Sequence, residues 1–173
     1  MKWGLILILA LSITLLGCNP TPRNGTAETP VAEEVSFDEA MGTTIAPGTW
    51  LTDYDEALAT AKKMNRPVLI NFTGSDWCGW CIKLSDEVFS QDIFKKYAAE
   101  NLVLLKLDFP RKIVQTPEMK AANETLAKKF GIEGFPTILL LDYTGKKLAR
   151  TGYQAGGAQE YVDHIKALLT QEK

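Results

Sequence analysis

The amino-acid sequence predicts an α/β fold with a mixed central sheet and helices on both faces. Three observations carry this expectation. Helical periodicity and short apolar runs alternate along the chain, helices separate the early strands, and the last two strands flank a tight turn. From Tyr54, apolar residues fall at Tyr54, Ala57, Leu58, Ala61 and Met64, the 3, 4 and 7 spacing of a helix with one buried stripe, which Thr52 or Asp53 can cap. Pro67 stops that helix, and the apolar run 68–72 reads as a buried strand. Residues 82–89 are expected to be helical, and Ser90 to open a second helical piece with Ile93, Phe94, Tyr97 and Ala98 on one side. A strand follows at 102–107. Thr116-Pro117 has the form of an N-cap followed by proline at the first helical position, and Gly131 that of a C-terminal stop, which predicts a helix over 117–130. Strands at 137–141 and 146–151 flank Asp142-Tyr143-Thr144-Gly145 as a hairpin. A last helix over 158–169 turns Tyr161, Val162, Ile165, Leu168 and Leu169 inward.

A chain of 173 residues, 46% hydrophobic and 23% charged, is sized for one globular domain with appendages. Its formal charge of -2 and scattered basic residues exclude broad attraction to nucleic acid.

The first segment reads as an address. Lys2 precedes an apolar run over 3–16, too short for the roughly 20 residues of a membrane span but suited to a signal-peptide core. Leu15-Leu16-Gly17-Cys18 resembles the bacterial lipobox, which implies cleavage before Cys18 and a lipid on its thiol. Residues 1–17 are then a signal peptide and 18–47 a lipid-anchored tether, rich in Pro, Thr, Glu, Gly and Ala. Roughly 30 such residues span about 30 Å, enough to hold a domain off a bilayer. The patch at 35–37 is open to reading as local packing or as an edge strand. The domain proper is placed at 48–173.

Apart from Cys18, the cysteines are one close pair, Cys78 and Cys81. A loop that short removes little unfolded-state entropy when closed, so a structural staple explains the pair poorly. With His164 as the lone, distant imidazole, the four-ligand set of structural zinc is missing and no metal site is expected. Cys78 follows a strand and begins a helix, where unpaired N–H groups and the helix dipole favour thiolate. Cys81, one turn on, is placed to attack a mixed disulfide formed by Cys78. Trp77 and Trp80 supply apolar cover for the sulfurs and for a polypeptide substrate, or else ordinary packing.

The run from Pro67 through Asn71-Phe72-Thr73-Gly74-Ser75-Asp76-Trp77-Cys78-Gly79-Trp80-Cys81 resembles the active-site region of the thioredoxin superfamily, particularly its exported bacterial branches. Gly131-Ile132-Glu133-Gly134-Phe135-Pro136-Thr137 resembles the loop that carries that family's cis-proline. The resemblance extends from about Trp50 to the C-terminus. It implies a thioredoxin-like fold and thiol:disulfide exchange by Cys78 and Cys81 without a cofactor. It also implies a substrate surface of Trp77, Gly79, Trp80, Phe135 and Pro136, with Pro136 cis and the Phe135 backbone pairing an extended substrate. Implied partners are cysteine-containing proteins and a membrane electron donor, in the extracytoplasmic envelope of a bacterium.

Two departures limit the carry-over. Asn71 stands where thioredoxins place a buried aspartate, and it cannot accept a proton; Asp76, a water or Lys106 are the candidates for a substitute role. The dipeptide Gly79-Trp80 lacks thioredoxin's proline, so the potential is open within the family's range of about -270 to -120 mV. An insertion at 109–125 reads as a partner surface or as a longer helix. The leading expectation is a reductase. Alternatives are an isomerase or oxidase, a noncatalytic interaction domain, and a soft-metal module that would need Met64 or Met119 near the cysteines.

Overall fold

The computed structural model describes residues 45–171. Five strands form one sheet in the order β1-β3-β2-β4-β5. They are β1 (Trp50–Leu51), β2 (Val68–Thr73), β3 (Val103–Asp108), β4 (Thr137–Leu141) and β5 (Lys147–Thr151). The first three run parallel, and β4 lies antiparallel to both β2 and β5. The central strands β2 and β4 are buried along their whole length, as their predominantly apolar sequences require of strands covered on both faces.

Helices cover both sides. On one face α1 (Tyr54–Met64) and α4 (Pro117–Phe130) pack against Val68, Ile70, Phe72, Leu105, Leu107, Leu139 and Leu141. On the other, α2 (Gly79–Leu84), α3 (Asp92–Asn101) and α5 (Gly157–Thr170) enclose a second core of Leu69, Leu84, Phe89, Phe94, Ile138, Leu140, Tyr161 and Ile165. The caps are chemical. Asp53 accepts the Glu56 N–H at 2.8 Å, and Thr116 accepts the Met119 N–H at 3.2 Å ahead of Pro117. Gly131 closes α4 in the left-handed conformation, φ 60°. Tyr161, on the inner face of α5, is fully buried and donates its hydroxyl proton to the Gly152 carbonyl at 3.0 Å; burial pushes its pKa up.

The expected start of a helix at Ser90 is corrected. The chain leaves α2 through a wider turn, Ser85–Phe89, in which the Ser90 N–H reaches back five residues to the Ser85 carbonyl at 2.8 Å. The Ser90 hydroxyl donates backward to the Asp86 carbonyl rather than capping forward. The break falls at the extended Gln91, and α3 begins at Asp92. β1 is new: a two-residue strand shows no period, and it forms only because β3 offers an edge. The patch at 35–37 and Cys18 lie outside the described residues.

Candidate active site

Strand β2 delivers the chain to the end of the sheet, where residues 74–77 turn it into α2. Cys78 is the N-cap of α2, and its N–H donates to the Gly74 carbonyl at 2.9 Å. Its sulfur accepts the Cys81 N–H at 3.2 Å, so a backbone donor already points at the atom that would carry thiolate charge. Cys81 faces inward one turn later. The two are joined in a disulfide with Cα atoms 5.2 Å apart, and both lie just under the surface, 7% and 4% exposed.

Two aromatic flanks border the pair. On the first, the Trp77 indole N–H donates to the Phe109 carbonyl at 2.7 Å, the Arg111 guanidinium lies 3.7 Å from the Trp77 ring centroid, and Phe135 meets that ring edge-on at 6.0 Å. On the second, Trp80 is 58% exposed and leans on Tyr153 at 5.2 Å. Lys83 sits over both rings, and the Tyr153 hydroxyl donates to Glu87 at 2.6 Å. The Tyr153 hydroxyl, followed by the charge of Glu87, holds the Lys83 ammonium above its usual pKa. Gly79 is exposed and unobstructed.

The Phe135–Pro136 bond is cis, the geometry that the resemblance implied. Phe135 stacks on Phe109 at 5.0 Å, which brings the proline loop and the segment after β3 to the same edge of the sheet.

Asn71 is buried on the sheet face that carries α2, paired in register with Lys106 and Ile138, and its Oδ1 has no hydrogen-bond partner among the described residues. Asp76 does not fit the role of a proton acceptor for Cys81. Its carboxylate is occupied by the N–H groups of Arg111, Lys112 and Ile113 at 2.6 to 3.2 Å, which hold its pKa below the usual carboxylate value. Met64 is partly buried against the core, and the Met119 sulfur accepts from Gln115 at 3.6 Å. His164 bonds Thr151 at 2.9 Å beneath β5. Among the described residues no three His, Cys, Asp or Glu side chains gather as a metal site.

Sequence reasoning missed Arg111, Tyr153, Lys83 and the pair Ser75–Asp108, in which Asp108 accepts the Ser75 N–H at 3.0 Å and its hydroxyl at 2.5 Å. Each lies far along the chain from its partner, apart from Lys83, and none belongs to a short motif.

A dithiol that can close on itself at a helix start can take two electrons from one partner and pass them to another, which defines the class as thiol:disulfide oxidoreductase. Comparison agrees. Residues 54–168 match the model of a thioredoxin-like domain, and the chain belongs to that family. It is 40% identical over 116 residues to the disulfide bond reductase DsbH of Chlamydia pneumoniae, covering 67% of this chain and 70% of that protein. It is 32% identical over 103 residues to the thioredoxin-related protein DsbJ of the same organism, 60% of this chain but 30% of the relative. The solved structure of a DsbH oxidoreductase superposes with a TM-score of 0.67 at 36% identity, covering 76% of this chain and 92% of that one.

Proposed function

We propose that the chain is an extracytoplasmic protein-disulfide reductase, anchored to a bacterial membrane through a lipid on Cys18. The observation that carries the reading is Cys78 at the cap of α2, its sulfur receiving a backbone N–H, with Cys81 one turn behind. Likeness to a protein named as a disulfide bond reductase supports the direction.

In the reduced domain the Cys78 thiolate attacks one sulfur of a substrate disulfide. A mixed disulfide forms, and the other substrate sulfur leaves as thiolate and takes a proton. Cys81, deprotonated, then attacks the Cys78 sulfur and displaces the second substrate thiolate. The domain is left as the Cys78–Cys81 disulfide, and a dithiol donor, in this reading a membrane partner, returns two electrons. Trp77, Gly79, Trp80 and the Phe135–Pro136 loop form the surface that receives the substrate chain, with Phe135 offering backbone groups. The tether over 18–47 gives the domain at 48–173 its reach from the membrane.

Replacing Cys81 with Ser is expected to trap mixed disulfides on nonreducing gels, and replacing Cys78 to abolish both trapping and turnover. Equal trapping by the two variants would refute the assignment of roles. Equilibration with glutathione buffers tests direction. A potential near the thioredoxin end, about -270 mV, supports electron delivery, and one near -120 mV would make the protein an oxidant.

A further inference from the structure

Residues 109–116, between β3 and α4, are tied to the two residues immediately before Cys78. The Asp76 carboxylate takes the N–H groups of Arg111, Lys112 and Ile113, and the Trp77 indole holds the Phe109 carbonyl. Four hydrogen-bonded positions across so short a segment fix its path beside the cysteines. Disulfide exchange by itself requires none of this.

The fixed segment presents two kinds of group. Arg111 is exposed and lies flat enough on Trp77 for its guanidinium carbon to sit 3.7 Å from the ring centroid. The charge pairs among the described residues are Lys83–Glu87, Lys95–Asp92 and Lys166–Asp163, so this guanidinium is paired with no carboxylate among them. Next to it, Ile113 and Val114 are 58% and 93% exposed. Large exposed apolar side chains are otherwise sparse on the described surface. Five of the seven, namely Trp80, Ile82, Ile113, Val114 and Met119, fall on α2 or on the stretch from this segment into α4. Apolar side chains exposed on the helix that carries the disulfide, and on the stretch that begins with the segment bonded beside it, fit a polypeptide rather than a small thiol.

We propose that Arg111 is a specificity-determining residue, selecting polypeptide substrates that carry a carboxylate close to the reactive cysteine. This rests on the oxidoreductase reading and adds a substrate class to it. Stacking on the indole restricts the guanidinium in advance, so less side-chain entropy is lost when a carboxylate arrives, and its N–H groups, which bond no described residue, can bind it as a fork. The neighbouring Ile113–Val114 tip covers apolar atoms of the same incoming chain. An acidic segment, rather than a basic one, is the partner because Lys112 adds a second exposed positive charge to the same arm.

The test uses the reduced full chain and three disulfide-bonded peptides that differ only beside one cysteine, which is flanked by Glu, Gln or Lys. The wild-type kcat/KM is expected to favour Glu over Gln by roughly three- to fivefold, the scale of one partly exposed ion pair, and to place Lys lowest. The Glu advantage should shrink with added salt. In Arg111→Gln the Glu-to-Gln ratio should fall to about one, and in Arg111→Lys part of it should return, since charge is kept and the fork is lost. Equal wild-type rates on all three peptides, or a Glu advantage that survives in Arg111→Gln, overturn the proposal while leaving the oxidoreductase intact. A redox potential displaced in Arg111→Gln together with a uniform loss on all peptides also overturns it, because the arginine would then act on the cysteines. Failure to reduce any peptide would overturn the reductase reading itself.

Discussion

Trp77 shows how much a single side chain beside the disulfide is asked to do. Its indole bonds the Phe109 carbonyl, carries Arg111 on one face and packs nearly perpendicular to Phe135. It can lie there only because Gly74 has no side chain: a Cβ at that position would sit 2.5 to 2.8 Å from three atoms of the indole. Gly74→Ala is therefore expected to displace the ring and lower stability by about 1–3 kcal/mol, the usual cost of overpacking. Denaturant unfolding followed by tryptophan emission would measure both effects. An alanine variant with unchanged midpoint and unchanged emission would show that the ring has another place to go.

At the scale of elements, the site is assembled from a strand end, a helix start and two loops that polar bonds hold together. Asp76 acts as a hub between two of them. Because the three N–H groups, Arg111 foremost, lower the folded-state pKa, the tether is fully formed above the unfolded value of about 3.9 and is lost as pH falls through the lower folded value. Neutral conditions leave it intact. The amide proton shifts of Arg111, Lys112 and Ile113 are expected to titrate together with a midpoint below about 3.9; a midpoint above that would show that the carboxylate does not hold the loop. In Asp76→Asn at neutral pH, exchange of those three amides should quicken by roughly tenfold, since neutral acceptors bind N–H groups more weakly, with the strands unaffected.

For the whole molecule, the sheet separates two apolar layers, and the redox pair sits where its parallel strand β2 ends. The edge is reached by β2, by the segment after β3 and by the loop before β4, so residues distant in sequence converge there. The proposed anchor operates at this scale too. Intact-mass measurement of protein extracted from membranes is expected to show cleavage before Cys18 and an added lipid mass. A product cut elsewhere with an unmodified Cys18 would remove the anchor from the proposed function.

The order and kind of most elements were legible in the sequence because they depend on local chemistry: helical spacing in α1 and α5, the Thr116-Pro117 start and Gly131 stop of α4, and the predominantly apolar run of β2. The cysteine pair and Pro136 were legible for the same reason, each lying in a contiguous motif. The turn at Ser85–Phe89 was not, because a serine hydroxyl bonds backward or forward with nearly equal ease and the packing of Val88 and Phe89 chose for it. Nor was the two-residue β1, whose hydrogen bonds belong to β3. The deepest difference lies at the site. Reactivity could be read from two residues three positions apart, whereas the surface around them could not. Arg111 over Trp77, Asp76 on three amides and Tyr153 on Glu87 are pairings across 34, about 36 and 66 positions, made only once both layers of the sheet have packed. Local sequence encodes propensity and spacing; which distant side chains meet is decided by the sheet register and the core that holds it.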